Sequence, residues 1–126
     1  MLDRFPVHAS LAVSDLQRAK AWYQEKLGLT PTREDPGGLW YECAGPTWFG
    51  IYPSEYAGSA TNTVAGWTVK GIESVMGELR ARGVRFEEYD LGEIKTVDGL
   101  ATFGPYKTAW MKDPDGNILE ISEVPE

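Results

Sequence analysis

The stretch His8–Leu29, HASLAVSDLQRAKAWYQEKLGL, decides how this chain is read, because Val64–Val84, VAGWTVKGIESVMGELRARGV, repeats its pattern. Each opens on an alternating run, continues as an amphipathic segment and stops at a glycine, Gly28 or Gly83. At an offset of 56 residues Ala9 meets Ala65, Val13 meets Val69 and Leu16 meets Ile72. The two copies also end alike. At an offset of 70, Trp40 meets Trp110, Phe49 meets Leu119 and Gly50 meets Glu120. Internal repetition of this kind is a stronger fold signal than any single motif.

Working outward, Val7 to Val13 reads as a strand with Val7, Ala9, Leu11 and Val13 on one face and His8, Ser10 and Ala12 on the other. Ser14-Asp-Leu-Gln17 has the pattern of a capping box, and Leu16, Ala19, Tyr23 and Leu27 fall at helical spacing. Thr30–Glu34, Leu39–Cys43 and Trp48–Tyr52 read as short strands, separated by turns at Asp35–Gly38 and Ala44–Pro46. The second copy repeats the order. Asn62–Val69 is a strand, and Ile72, Val75, Met76 and Leu79 mark a helix face. Val84–Asp90, Lys107–Lys112 and Asn117–Val124 are strands, the last two joined by a turn at Asp113–Gly116. Between them Leu91–Tyr106 reads as a long glycine-containing loop, either a pocket wall or a loose excursion. The expected fold is α+β: one domain of two βαβββ modules, about residues 1–53 and 62–126, with helices outside a curved sheet.

Composition narrows the function. A chain of 126 residues fits a single domain with its own core. A net charge of −7 argues against nucleic acid and anionic membrane as partners, since both reward excess Lys and Arg. No apolar run approaches a membrane span. The lone Cys43 cannot form an internal disulfide and reads as a buried, inert thiol. With a start that lacks the pattern of a signal peptide, it sets a cytoplasmic expectation.

Three stretches, His8–Leu29, Val64–Val84 and Ala109–Glu120 (AWMKDPDGNILE), together resemble the vicinal oxygen chelate superfamily, the glyoxalase, bleomycin-resistance and extradiol dioxygenase group. The resemblance implies two βαβββ modules around a cavity, and a homodimer. It also implies four metal-ligand positions, which fall at His8, Gly50, Val64 and Glu120. Gly50 and Val64 have no donor atom, and Phe49, Ile51, Thr63 and Ala65 beside them do not rescue the set. A catalytic metal normally takes three protein ligands or more. No cofactor is therefore expected, and a divalent metal is the disfavoured alternative.

Strand alternation nominates the cavity. If His8 and Glu120 face inward, so do Ser10, Ala12, Trp48, Gly50, Tyr52, Val64, Gly66, Thr68, Ile118 and Ser122, with Trp40 and Trp110 as neighbours. Leu11, Trp67, Leu119 and Ile121 then belong to the core against the helices. The ligand-binding candidates are Trp40, Trp48, Tyr52, Thr68, Trp110 and Ser122, with Phe103–Tyr106 as a lid. His8 and Glu120 form either a catalytic acid–base pair or a structural polar pair. Two functions follow. One is a metal-free protein that binds a small aromatic or hydrophobic molecule, the acidic charge and the Trp faces suiting a cation. The other is a lyase, isomerase or dioxygenase-type enzyme that uses His8 and Glu120 as an acid–base pair or partial metal site.

Overall fold

The computed structural model describes residues 1–125. After a 3-10 turn at Leu2–Arg4, the first module runs β1 (Ala9–Val13), α1 (Leu16–Leu27), β2 (Arg33–Asp35), β3 (Gly38–Glu42) and β4 (Trp48–Pro53). The second runs β5 (Thr63–Thr68), α2 (Ile72–Ala81), β6 (Asp90–Leu91), β7 (Ile94–Val97), β8 (Leu100–Phe103), β9 (Tyr106–Lys112) and β10 (Ile118–Glu123). The strands form two sheets, ordered β1-β4-β3-β2 and β5-β10-β9-β8-β7-β6, in place of the single eight-stranded sheet that two plain modules would make. The fold is α+β, as the repeat requires.

Register carries the repeat into three dimensions. β1 runs parallel to β4 with Ser10 opposite Gly50, and β5 runs parallel to β10 with Gly66 opposite Glu120. On the other side Trp40 of β3 faces Gly50, as Trp110 of β9 faces Glu120. Both sequence offsets are thus one structural equivalence. In each module a residue outside the strands also donates to the central tryptophan: Thr32 N to Trp40 O and Glu87 N to Trp110 O, both at 2.8 Å.

The helices are capped differently. Asp15, not Ser14, caps α1, accepting from Arg18 N at 3.0 Å, and Gly28 ends the helix at φ 68°. Ser14 instead donates its hydroxyl to Asp115 at 2.6 Å. The expected capping box is therefore displaced by one residue, because the Ser14 side chain has a stronger acceptor in the other module. Helix α2 starts at Gly71 with no side-chain cap of its own. Glu123 at the end of β10 accepts from Gly71 N and Ile72 N, supplying the carboxylate that a helix N-terminus favours.

The segment 91–106 is not a loop. It folds into β6, β7 and β8, an antiparallel extension of the second sheet. Asp98 and Gly99, at φ 52° and 81°, make the two-residue turn between β7 and β8. Gly104 and Pro105 turn β8 into β9 with Phe103 opposite Tyr106, so the expected lid is a tight hairpin turn. The strand expected over Val84–Asp90 shrinks to a single bridge, Phe86 to Met111, before β6.

One apolar cluster draws on both modules, including Leu11, Val13, Ile51, Met76, Met111 and Leu119. Tyr23 on α1 is fully buried, and its hydroxyl donates to Asp113 at 2.9 Å. Asp113 also accepts from Asn117 N and Nδ2 and from Asp115 N, and Asn117 Nδ2 donates to Ala12 O as well. The turn between β9 and β10 thereby locks the second module onto α1 and β1 of the first. Burial, and then the Asp113 charge, push the Tyr23 phenol far above its usual range.

Candidate functional site

The helix-free face of the first sheet is an aromatic stack. Phe49 and Ile51 of β4 enter the core, so alternation turns Trp48, Gly50 and Tyr52 the other way. Trp40 lies over Gly50: a Cβ there would stand 3.2 Å from the Trp40 Cζ3. The Arg33 guanidinium sits 4.8 Å above the Trp40 ring. The Trp40 and Trp48 centroids are 5.0 Å apart at 51°, and His8 stacks on Trp48 at 3.6 Å and 17°. Arg33, Trp40, Trp48 and His8 therefore form one continuous stack. Its inner indole has an unpaired polar atom: Trp40 Nε1 is buried and makes no hydrogen bond among the described residues. A buried orphan donor costs roughly 1–3 kcal/mol. Beside the stack a cavity of about 680 Å³ opens near the β3–β4 turn, lined among others by Arg33, Trp40, Glu42, Pro46, Thr47 and Trp48.

The corresponding face of the second sheet is polar. Glu120 lies over Gly66, where a Cβ would collide with its Cγ and come within 3.2 Å of its Oε1. Trp110 stands opposite Glu120, with Tyr89 packed edge-on against it at 5.4 Å and 79°. One row further, Thr68, Ser122 and Thr108 are register partners, the last two hydroxyls 3.2 Å apart. A hydroxyl row thus borders a carboxylate and an indole.

The sequence candidates are divided between these faces. Trp40 and Trp48 line the 680 Å³ cavity; Glu120, Trp110, Thr68 and Ser122 belong to the other sheet and do not line it. Tyr52 lies beyond Trp48 on β4 and is 44% exposed. No hydrogen bond or ion pair joins His8 to Glu120 among the described residues. His8 precedes β1, and its imidazole is engaged by Trp48. A register shift leaves Thr63 opposite Ile118 and Ala65 opposite Leu119, so Val64 is the extra residue of a bulge and packs against the core cluster. At the 70-residue offset Ile118 corresponds to Trp48; Thr63 is the parallel neighbour of Ile118, and His8 stacks on Trp48. Strand alternation does not nominate Arg33, which β2 places opposite Trp40. Cys43 is half-buried against the core rather than fully enclosed.

A divalent metal does not fit these residues. The described residues contain no group of three His, Cys, Asp or Glu side chains able to hold one. The space in front of Gly50 is filled by the Trp40 ring, and the His8 imidazole is stacked on Trp48. At most two donors remain, short of the usual three.

A family model for the Glyoxalase/Bleomycin resistance protein/Dioxygenase superfamily matches residues 6–121. Among solved structures, the chain is similar to a glyoxalase family protein from Enterococcus faecalis, with 25% identity and a TM-score of 0.71 over 98% of this chain and 100% of that one. A glyoxalase / bleomycin resistance protein from Catenulispora acidiphila gives 24% identity and a TM-score of 0.67 over 96% and 99%. A lactoylglutathione lyase from Agrobacterium tumefaciens shares the fold at 15% identity and a TM-score of 0.70, over 94% and 92%. Among curated proteins none matches this chain.

Proposed function

We infer a function from one premise: this chain belongs to the Glyoxalase/Bleomycin resistance protein/Dioxygenase superfamily. The reading the geometry supports best is a metal-free member that binds a small aromatic or hydrophobic molecule at the helix-free face. The observation that carries it is the Trp40 ring seated over Gly50, beside a cavity of about 680 Å³. That ring occupies the place from which a β4 carboxylate would reach a metal, and it supplies an apolar wall in exchange. Trp48 extends the wall, while Glu120, Trp110, Thr68 and Ser122 would form a separate polar face on the second sheet. Tyr52 belongs to the rim.

The same reading includes a homodimer in the cytoplasm. The two sheets leave strand edges, and Met1, Leu2, Phe5 and Val7 expose apolar side chains that a second copy would cover. Among the described residues no helix is long and apolar enough to cross a membrane. The enzyme reading, with His8 and Glu120 as an acid–base pair, has less support because nothing joins the two groups.

The test has two arms. Metal analysis of the purified protein should find no stoichiometric zinc, nickel, iron or manganese. A thermal-shift screen of small aromatic compounds should find ligands that raise the midpoint without added metal, by simple linkage. Stoichiometric, tightly held metal would overturn the reading. Light scattering should return twice the chain mass.

A further inference from the structure

We propose that Trp40 selects the ligand as a displaceable plug: its indole stands over Gly50 in the slot that a flat, fused bicyclic aromatic takes on binding. The proposal rests on the small-molecule reading above and deepens it by naming the ligand's shape. Three observations carry it.

The first is the slot. Gly50 is buried although its neighbours on the helix-free face, Ser10 across on β1 and Tyr52 further along β4, are exposed. What covers it is the Trp40 ring, whose Cζ3 and Cε3 would stand 3.2 and 3.3 Å from a Cβ at that position. The glycine leaves a floor for a flat ring, and Trp48 bounds the slot, 5.0 Å from Trp40 between centroids. The second is the cost of the plug in place. Trp40 Nε1 is buried and makes no hydrogen bond among the described residues. An indole N–H only donates, so closing removes its water and supplies no acceptor in exchange. The closed form therefore carries a penalty that opening relieves. The third is a weak latch. The Arg33 guanidinium covers the outer face of Trp40 at 4.8 Å, but its Nε stands 4.0 Å from Asp35 and its side chain is 67% exposed. A side chain so loosely tied adds little resistance when the ring moves. Trp40 also lines the 680 Å³ cavity, so the vacated slot opens into it. An incoming bicycle then inherits the Gly50 floor and the Trp48 wall, with an apparent affinity reduced by the fraction of chains already open.

Exchange of the Trp40 indole N–H, followed by NMR on the full chain with and without 2-naphthol, tests the idea. Gly50→Ala, whose methyl presses on the ring, and Arg33→Gln, which removes the latch, should each speed that exchange several-fold. Unchanged rates in both variants overturn the proposal. Saturation of the unaltered protein with 2-naphthol should also speed it, because the bound form is open. A fixed wall would be covered by the ligand and exchange more slowly, and that result overturns the proposal while leaving small-molecule binding standing. By calorimetry, Trp40→Ala should bind 2-naphthol about tenfold more tightly, as expected if roughly one chain in ten is open before binding. Weaker binding in that variant makes Trp40 a wall and overturns the plug. Where Trp40→Ala does not fold, Arg33→Gln serves, with tighter naphthol binding expected and unchanged or weaker binding against the plug. Failure of 2-naphthol to bind the unaltered protein overturns the ligand named here, and the wider screen of aromatic compounds judges the small-molecule reading separately.

Discussion

Where β4 of the first module carries Gly50, β10 of the second carries Glu120, and the neighbours adjust in opposite ways. In the first module the cross-strand tryptophan, Trp40, falls over the glycine, with Arg33 above it. In the second, the carboxylate itself fills the space, and it is the parallel neighbour that shrinks, to Gly66. The tryptophan there, Trp110, is packed by Tyr89 instead of an arginine. One backbone register thus supports an aromatic, cation-capped face and an acidic, hydroxyl-lined face. Which strand carries the glycine decides which side chain covers the sheet. Helix starts divide along the same line: α1 is capped by its own Asp15, α2 by Glu123 from β10.

The comparison breaks most completely at the joint between the modules. Asp113→Ala should cost about 3–5 kcal/mol, because it strands the Tyr23 hydroxyl and the Asn117 donors that converge on one buried carboxylate. Urea denaturation would show it. A loss under 1 kcal/mol would mean that the β9–β10 turn does not hold the modules together.

The two glycines come next. Gly66→Ala should destabilise by roughly 1–3 kcal/mol as its Cβ displaces Glu120, and Gly50→Ala by less, since Trp40 need yield only a few tenths of an ångström. A cycle of Gly66→Ala with Glu120→Ala should recover part of the first loss, since the Glu120 carbonyl oxygen, 3.0 Å from the new Cβ, stays in place. Additive losses would show that the Glu120 side chain is not what the new methyl meets.

The bulge gives a sharper contrast. Val64→His should cost about 1–2 kcal/mol by pressing an imidazole toward the core. Thr63→His, one residue earlier and opposite Ile118, should be nearly neutral by thermal melting. Equal losses would place the bulge elsewhere.

The smallest effect concerns Tyr41. Burial first, and Glu34 second, push its phenol from 10 up to about 12, and its hydroxyl makes no hydrogen bond among the described residues. The unfolded chain ionises first, so the contribution of Tyr41 is intact below pH 10 and is lost as pH climbs from 10 through about 12. Tyr41→Phe should flatten that alkaline decline and leave neutral-pH stability within about 1 kcal/mol. An unchanged alkaline profile would assign the decline to Tyr23 alone.

Much of the fold was legible before any coordinates. The 56- and 70-residue offsets became one equivalence, and Leu11, Leu119 and Ile121 lie in the core. The segment 91–106 was not read correctly, although Asp98-Gly99 is a hairpin signal, because scattered glycines looked like a loop. The candidate site was legible only by face. Alternation separated Trp48 from Phe49, but it carries no information about which indole covers which glycine.

By itself, then, the sequence determined the two modules and their strand faces, since these depend on periodicity and residue type within short windows. Tertiary structure alone decided the bulge at Val64, the Arg33–Trp40–Trp48–His8 stack and the Asp113 joint. Each of these depends on strands distant in sequence meeting in one register, where a shift of a single residue turns a side chain from one face of the sheet to the other.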